Sequence, residues 1–189
     1  MFSALDVVAS SAYLENPAGY HFEGQDPDEK ILLVLRAHPI TNWTWVVPAI
    51  LIFFLPFILP EFLPVIGINI LIIPDQYLMA FIIINYLLVL VIVFEGFLSW
   101  YFNVNILTNK KIVDLDFYSV LSKNVDLAPL NGIQEASGQV AGVLGMIFHY
   151  GPVMVQTAGA KVSIDLIDVP MPEKVADIIM DEVHKIQRK

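Results

Sequence analysis

Residues 77–102, YLMAFIIINYLLVLVIVFEGFLSWYF, decide how this chain is read. No charge interrupts the run until Glu95. A helix needs roughly 20 apolar residues to cross a hydrocarbon core of about 30 Å, and this stretch has them. Trp100 and Tyr101 stand at its end like interfacial aromatic anchors. A second apolar stretch precedes it, residues 43–60, WTWVVPAILIFFLPFILP, with Trp43 and Trp45 at its start. The link from Glu61 to Gln76 is itself apolar and holds no Lys or Arg. Together the two stretches predict a transmembrane helical hairpin. Pro48 and Pro56 lie inside the first stretch, so it reads either as a kinked spanning helix or as a re-entrant or interfacial segment. The backbone carbonyls that proline frees need another partner in lipid.

The hairpin divides the chain into residues 1–42, 43–102 and 103–189. Lys30 and Arg36 precede the first stretch, and Lys110 and Lys111 follow the second. The excess of basic residues on that side predicts a multi-pass protein of the plasma (inner) membrane with both termini cytoplasmic. The first residues show no basic region followed by an apolar core, so both helices are expected in the mature protein. Two polar residues fall inside the second stretch. Asn85 is expected to make an interhelical hydrogen bond. Glu95, beside Gly96 and Ser99, is expected near the interface, with an intramembrane functional contact as the sharper alternative.

Composition agrees with a membrane segment attached to a folded part. The chain has 189 residues, 57% of them hydrophobic, a mean hydropathy of +0.67 and a net charge of −9. That charge offers no electrostatic footprint for nucleic acid. The absence of cysteine excludes disulfides, zinc thiolates and thiol catalysis.

From Asn103 onward the pattern turns to short β-strands. Val104 to Leu107 and Ile112 to Phe117 flank Thr108-Asn109-Lys110-Lys111, which predicts a hairpin because Asn tolerates turn geometry. Val125–Leu127, Ile133–Ala136, Val153–Thr157 and Val162–Leu166 are further strand candidates, the last two around Ala158-Gly159-Ala160. Val140–Phe148 reads as a short apolar helical turn. A final amphipathic helix starts at Pro172, with Val175, Ile178, Ile179, Val183 and Ile186 on its apolar stripe and Asp181–Lys185 as an i,i+4 pair. The fold class expected is a transmembrane helical hairpin plus an α+β domain, a bent antiparallel sheet or open barrel capped by the C-terminal helix.

The run Ile106-Leu107-Thr108-Asn109-Lys110-Lys111-Ile112 after a membrane span resembles the opening hairpin of the bacterial membrane-anchored pleckstrin-homology (PH)-like domain family, YdbS-like type. Ile133-Gln134-Glu135, Gly142 to Gly145, and Tyr150 to Gly159 resemble its central motif, and Asp168-Val169-Pro170 its closing motif. Gln25-Asp26-Pro27-Asp28-Glu29, Leu32-Leu33 and Arg36 resemble its N-terminal lead-in. Pro152 departs from the pattern and puts the start of its strand in question. The resemblance implies a PH-like fold with no catalytic residues and a scaffolding or stress-related role.

The residues themselves offer little chemistry. His21, His38, His149 and His184 are scattered singly, without a zinc pattern. Asp114 and Asp116 alternate on one strand face, read as solvated. Ser119 and Ser122 have no nucleophile context. Lys110 and Lys111 are the adjacent basic pair that suits contact with anionic lipid. No catalytic residue, cofactor or metal is expected; the expected partners are membrane lipid and a protein segment or a second copy. The function expected is a non-enzymatic, membrane-anchored interaction module. Alternatives are an accessory subunit of a transporter or channel, with Asn85 and Glu95 facing a partner, and a membrane enzyme of unrecognised chemistry.

Overall fold

The computed structural model describes residues 12–17, 19–22, 24–67, 73–119, 122–158 and 164–188, without the side chains of 117–119 and 122–123. Several sequence readings lie outside the described residues: the apolar link over 68–72, the turn at Gly159-Ala160, the strand start Val162-Ser163, and the Ser119 and Ser122 side chains. The chain forms two compact units, Met1–Thr41 with Ser99–Lys189, and Asn42–Leu98.

The second unit is the helical hairpin. Helix α1 spans Trp43–Phe62, and α2 spans Asp75–Phe102. Both are long and apolar enough to cross a membrane and leave nearly all their side chains unburied. Pro48, Pro56 and Pro60 lie within α1 without ending it.

The first unit is built from two antiparallel sheets and a helix. One sheet has the order β1–β2–β3–β4–β5: Tyr13–Glu15, Ile31–Leu35, Val104–Thr108, Lys111–Ser119 and Ser122–Pro129. The other has β6–β7–β8: Ile133–Gly138, Tyr150–Thr157 and Ile164–Pro170. Helix α3, Gly142–Phe148, lies between β6 and β7 in sequence, and α4, Pro172–Gln187, closes the chain. Inner residues of both sheets, among them Leu33, Leu107, Ile112, Val153 and Leu166, share one core with Val175, Ile179 and Val183 of α4. Burying each such side chain contributes about 1.5–3 kcal/mol. Close approach of α4 to β6 requires Gly138, where a Cβ would stand 2.2 Å from the Pro172 carbonyl oxygen. Pro152 sits at an irregularity in the β7–β8 register, between Gly151 and Val153. A residue without an N–H is tolerated at such a bulge.

Two expectations need correction. Residues 1–42 were set apart from the domain, but β1 and β2 belong to its sheet: Leu33 pairs Leu107 and Val34 pairs Ile106. The hairpin is therefore an insertion between two neighbouring strands. A hydrophobic run as short as Ile31–Leu35, before a long apolar hairpin, gives no local sign that its partner lies beyond that hairpin. On α4, the direct ion pair of Lys185 is with Glu182, three residues back, and Asp181 acts on it as a further charge.

Candidate functional site

The β3–β4 turn is locked by the loop before β2. Asn109 and Lys30 exchange contacts, with the Lys30 N–H donating to Asn109 Oδ1 at 2.8 Å and the Asn109 N–H donating to the Lys30 carbonyl at 3.0 Å. Glu29 is 4% exposed. Its carboxylate accepts from Thr108 Oγ1 at 2.7 Å and from the Asp26 N–H at 3.0 Å, and meets Lys111 Nζ at 3.2 Å. Lys111 Nζ also donates to the Gly24 carbonyl and lies over the Phe22 ring. Lys110 Nζ reaches Asp28 at 2.7 Å and Asp26 at 3.0 Å, and these hydrogen bonds, Asp28 first, hold its ammonium above the usual lysine range. Both lysines picked out for lipid contact thus have carboxylate partners within the domain. Three acids and two ammonium groups are gathered at this turn.

The other end of the same strand pair gathers carboxylates and an amide. Asn105 on β3, Asp114 on β4 and Asp126 on β5 lie side by side in register. Strand alternation puts them on the face that also carries Leu107, Ile112 and Ala128. Asp116 follows on that face, opposite Asn124. Asp114 is 7% exposed, and burial, followed by the charges of Asp116 and Asp126, pushes its carboxyl up to about 7. Asn105 is equally buried, and its Oδ1 has no hydrogen-bond partner. Asn124 Nδ2 donates to Asp126 Oδ2 at 2.8 Å. The expectation of a solvated Asp114/Asp116 face is corrected for Asp114. Val113 and Leu115 lie on the other side of β4 from Asp114. They pack in a second cluster on that face, with Val34 and Ile106, under Leu14, Tyr20 and Phe22. Around β2–β4 the sheet is covered on both faces, so a strict alternation no longer tells inside from outside.

A third feature is apolar. Helix α3 carries no charged residue and exposes Val143 (75%), Met146, Ile147 and Phe148, with Ile167 and Met171 also exposed. His149 ends it in the left-handed region, φ 53°. His38 stacks on Tyr150 at 5.4 Å between centroids and lies 6.0 Å from Phe148, and burial lowers its imidazole pKa. Arg36 is fully buried, with its guanidinium 4.8 Å from the Tyr101 ring and 5.4 Å from Trp100. It packs as a cation–π partner rather than standing as a solvated basic flank.

Within the hairpin, Asn85 is buried and donates through Nδ2 to the Ile52 carbonyl at 3.0 Å. That carbonyl is four residues before Pro56, whose missing N–H would otherwise have bonded it. Asn85 thus supplies the donor that the proline removed. Gly96 lets the Trp45 ring approach, since a Cβ there would fall 2.5 Å from Trp45 Cγ. Glu95 is exposed on the helix surface. Among the described residues, no group of three His, Asp or Glu side chains is placed to hold a metal ion.

A family model described as bacterial PH domain matches residues 46–183, well over half of the chain. The chain belongs to the bacterial PH domain family. No curated protein and no solved structure matches it. The bacterial PH domain match begins inside α1, so β1 and β2, which complete the first sheet, lie outside the matched residues. Sequence reasoning found the turn at Asn109 and the donor at Asn85. It missed the latch at Glu29 and the burial of Asp114. The run Asp26-Pro27-Asp28-Glu29 facing Lys110-Lys111 was an available signal, as complementary charges of matching spacing.

Proposed function

We propose that this bacterial PH domain protein is a membrane-anchored interaction module of the YdbS-like type. The α1–α2 hairpin crosses the plasma membrane, both termini are cytoplasmic, and the domain binds a protein segment, a second copy or lipid at the cytoplasmic face. The family is one of binding modules, which favours interaction over catalysis. The observation that carries the reading is the apolar surface of α3. Contiguous exposed side chains such as Val143, Met146 and Ile147 mark interaction surfaces on folded domains. The edge of β5, unpaired among the described residues and with Val125 and Leu127 exposed, is a second place for peptide addition.

The test places a photo-crosslinking amino acid at Met146 in the full chain in living cells. The reading expects a discrete crosslinked protein, a crosslinked dimer or labelled lipid, absent when the probe stands at exposed Asp177. Identical patterns at the two positions would remove the reading. Orientation is tested separately, since the chain lacks cysteine. In an Arg188→Cys variant an impermeant maleimide should label only after cells are opened; labelling of intact cells would reverse the topology.

A further inference from the structure

We infer that the open end of the first sheet's inner face is a binding site for an organic cation, an alkylammonium or guanidinium group seated between Asp114 and Asp126 with Asn105 Oδ1 as a further acceptor. The site is separate from the apolar surface of α3.

Asp114 and Asp126 are direct cross-strand neighbours. Like charges in that relation are destabilising, and opposed residues hold their Cβ atoms about 4.5–5.5 Å apart. Asp116 adds a third carboxylate on the same face. Among the described residues, the two neighbouring charges that shift Asp114 are both carboxylates. A second observation points to a ligand independently. Asn105 is more than nine-tenths buried, is the register partner of Asp114, and keeps Oδ1 without a donor. A buried acceptor left unmade costs about 1–3 kcal/mol relative to a satisfied one, so a donor supplied from outside recovers it.

The chemistry of the group follows from its oxygens. Once Asp114 is ionised, every side-chain oxygen on offer at Asp114, Asp126 and Asn105 Oδ1 is an acceptor, so the complement is a cation rich in N–H donors. A metal ion demands several oxygens within about 2.0–2.6 Å of one point. The carboxylates here do not converge in that way. Charge-assisted N–H···O bonds of about 2.7–2.9 Å let one nitrogen centre, or the two sides of a guanidinium, span carboxylates at cross-strand separation. Entry is from the side of exposed Asn124, since Asp114 itself is deep. Two sources carry this chemistry: a free polyamine, and a Lys or Arg side chain of a protein segment.

The experiment uses the full chain in detergent micelles and isothermal titration calorimetry at pH 7. The probes are spermidine and a short arginine-containing peptide. Binding of either with a Kd below about 1 mM is expected, weakened at least about tenfold by the double variant Asp114→Asn/Asp126→Asn. The double variant Asp177→Asn/Asp181→Asn removes the same charge from exposed positions of α4 and should bind like the parent. Asn105→Leu, which keeps every carboxylate, should also weaken binding. Heats in two buffers of different ionisation enthalpy should show proton release on binding, because Asp114 gives up its proton to pair with the cation. Response to spermidine alone assigns a polyamine, and response to the peptide alone assigns a protein side chain. Equal weakening in both double variants would reduce the effect to general attraction by a chain of net charge −9 and overturn the site. Failure of both probes to bind, or tighter binding of calcium at the same carboxylates, would overturn it too.

Discussion

Glu29 and Asp114 are both buried carboxylates, and they sit at opposite ends of the same β3–β4 pair. At the turn end, Glu29 meets a hydroxyl, an ammonium group and a backbone N–H. At the other end, Asp114 faces two further carboxylates and an amide oxygen without a donor. Burial alone therefore does not fix what a charged group does. A buried carboxylate with its partners in place holds elements together, here the loop before β2 and the turn after β3. One without them remains a cost to the fold, and such departures from local consistency are expected where something binds.

The largest effect comes from deleting the latch together with its strands. A fragment of residues 99–189 lacks β1 and β2, exposes the β3 edge and loses Leu33 and Leu35 from the core. It is expected to be unfolded by circular dichroism, whereas residues 12–41 joined by a short flexible linker to 99–189 should fold with a cooperative thermal transition. A folded 99–189 fragment would break the claim that the turn end depends on the N-terminal strands. Next, Glu29→Ala in the full chain should cost about 3 kcal/mol, because the bonds of a buried carboxylate to Thr108, the Asp26 N–H and the partly buried Lys111 are lost together. Denaturant titration measures it, and a loss near zero would erase the contrast with Asp114.

Asp114→Asn should act in the opposite direction and only at higher pH. The folded carboxyl titrates near 7, above the unfolded value of about 3.9, so the wild type binds the proton more tightly when folded. Its contribution is fully present below about pH 4, declines as pH rises towards 7, and stays lost above. The variant should match the wild type at pH 4 and exceed it at pH 8 by on the order of 2 kcal/mol, allowing for solvent screening. A difference that is flat with pH would show that Asp114 is not the strained partner. The smallest effect belongs to Asn85→Leu, which leaves the Ile52 carbonyl without its donor. It should weaken hairpin association by about 1 kcal/mol, read by Trp45 fluorescence during a denaturing detergent titration.

Legibility in the sequence followed the range of the interactions. The helices α1, α2 and α4 and the β3–β4 turn were readable because 3.6-residue periodicity, apolar run length and turn chemistry are local. Asn85 was readable because a central amide in an apolar helix has few fates. The membership of β2 in the sheet was not, since its partner β3 lies beyond the whole hairpin. The inward placement of Asp114 was hidden for a related reason. Tyr20 and Phe22, residues far away in the chain, pack over the Val113 face, so the alternation of Asp114 and Asp116 with apolar residues did not reveal that the carboxylate face also points to the core.

The insertion of the hairpin between β2 and β3 has a consequence for biosynthesis. As the chain emerges from the ribosome at roughly 5–20 residues per second, β2 is made several seconds before its partner. Until α1 and α2 have both been synthesised, and on the membrane-anchored reading laid into the bilayer, the nascent domain carries an open strand edge that quality-control proteases and aggregation can find. Closure of the sheet thus records that the apolar segment between its strands has been completed, and a chain that stalls in between keeps an unfinished edge.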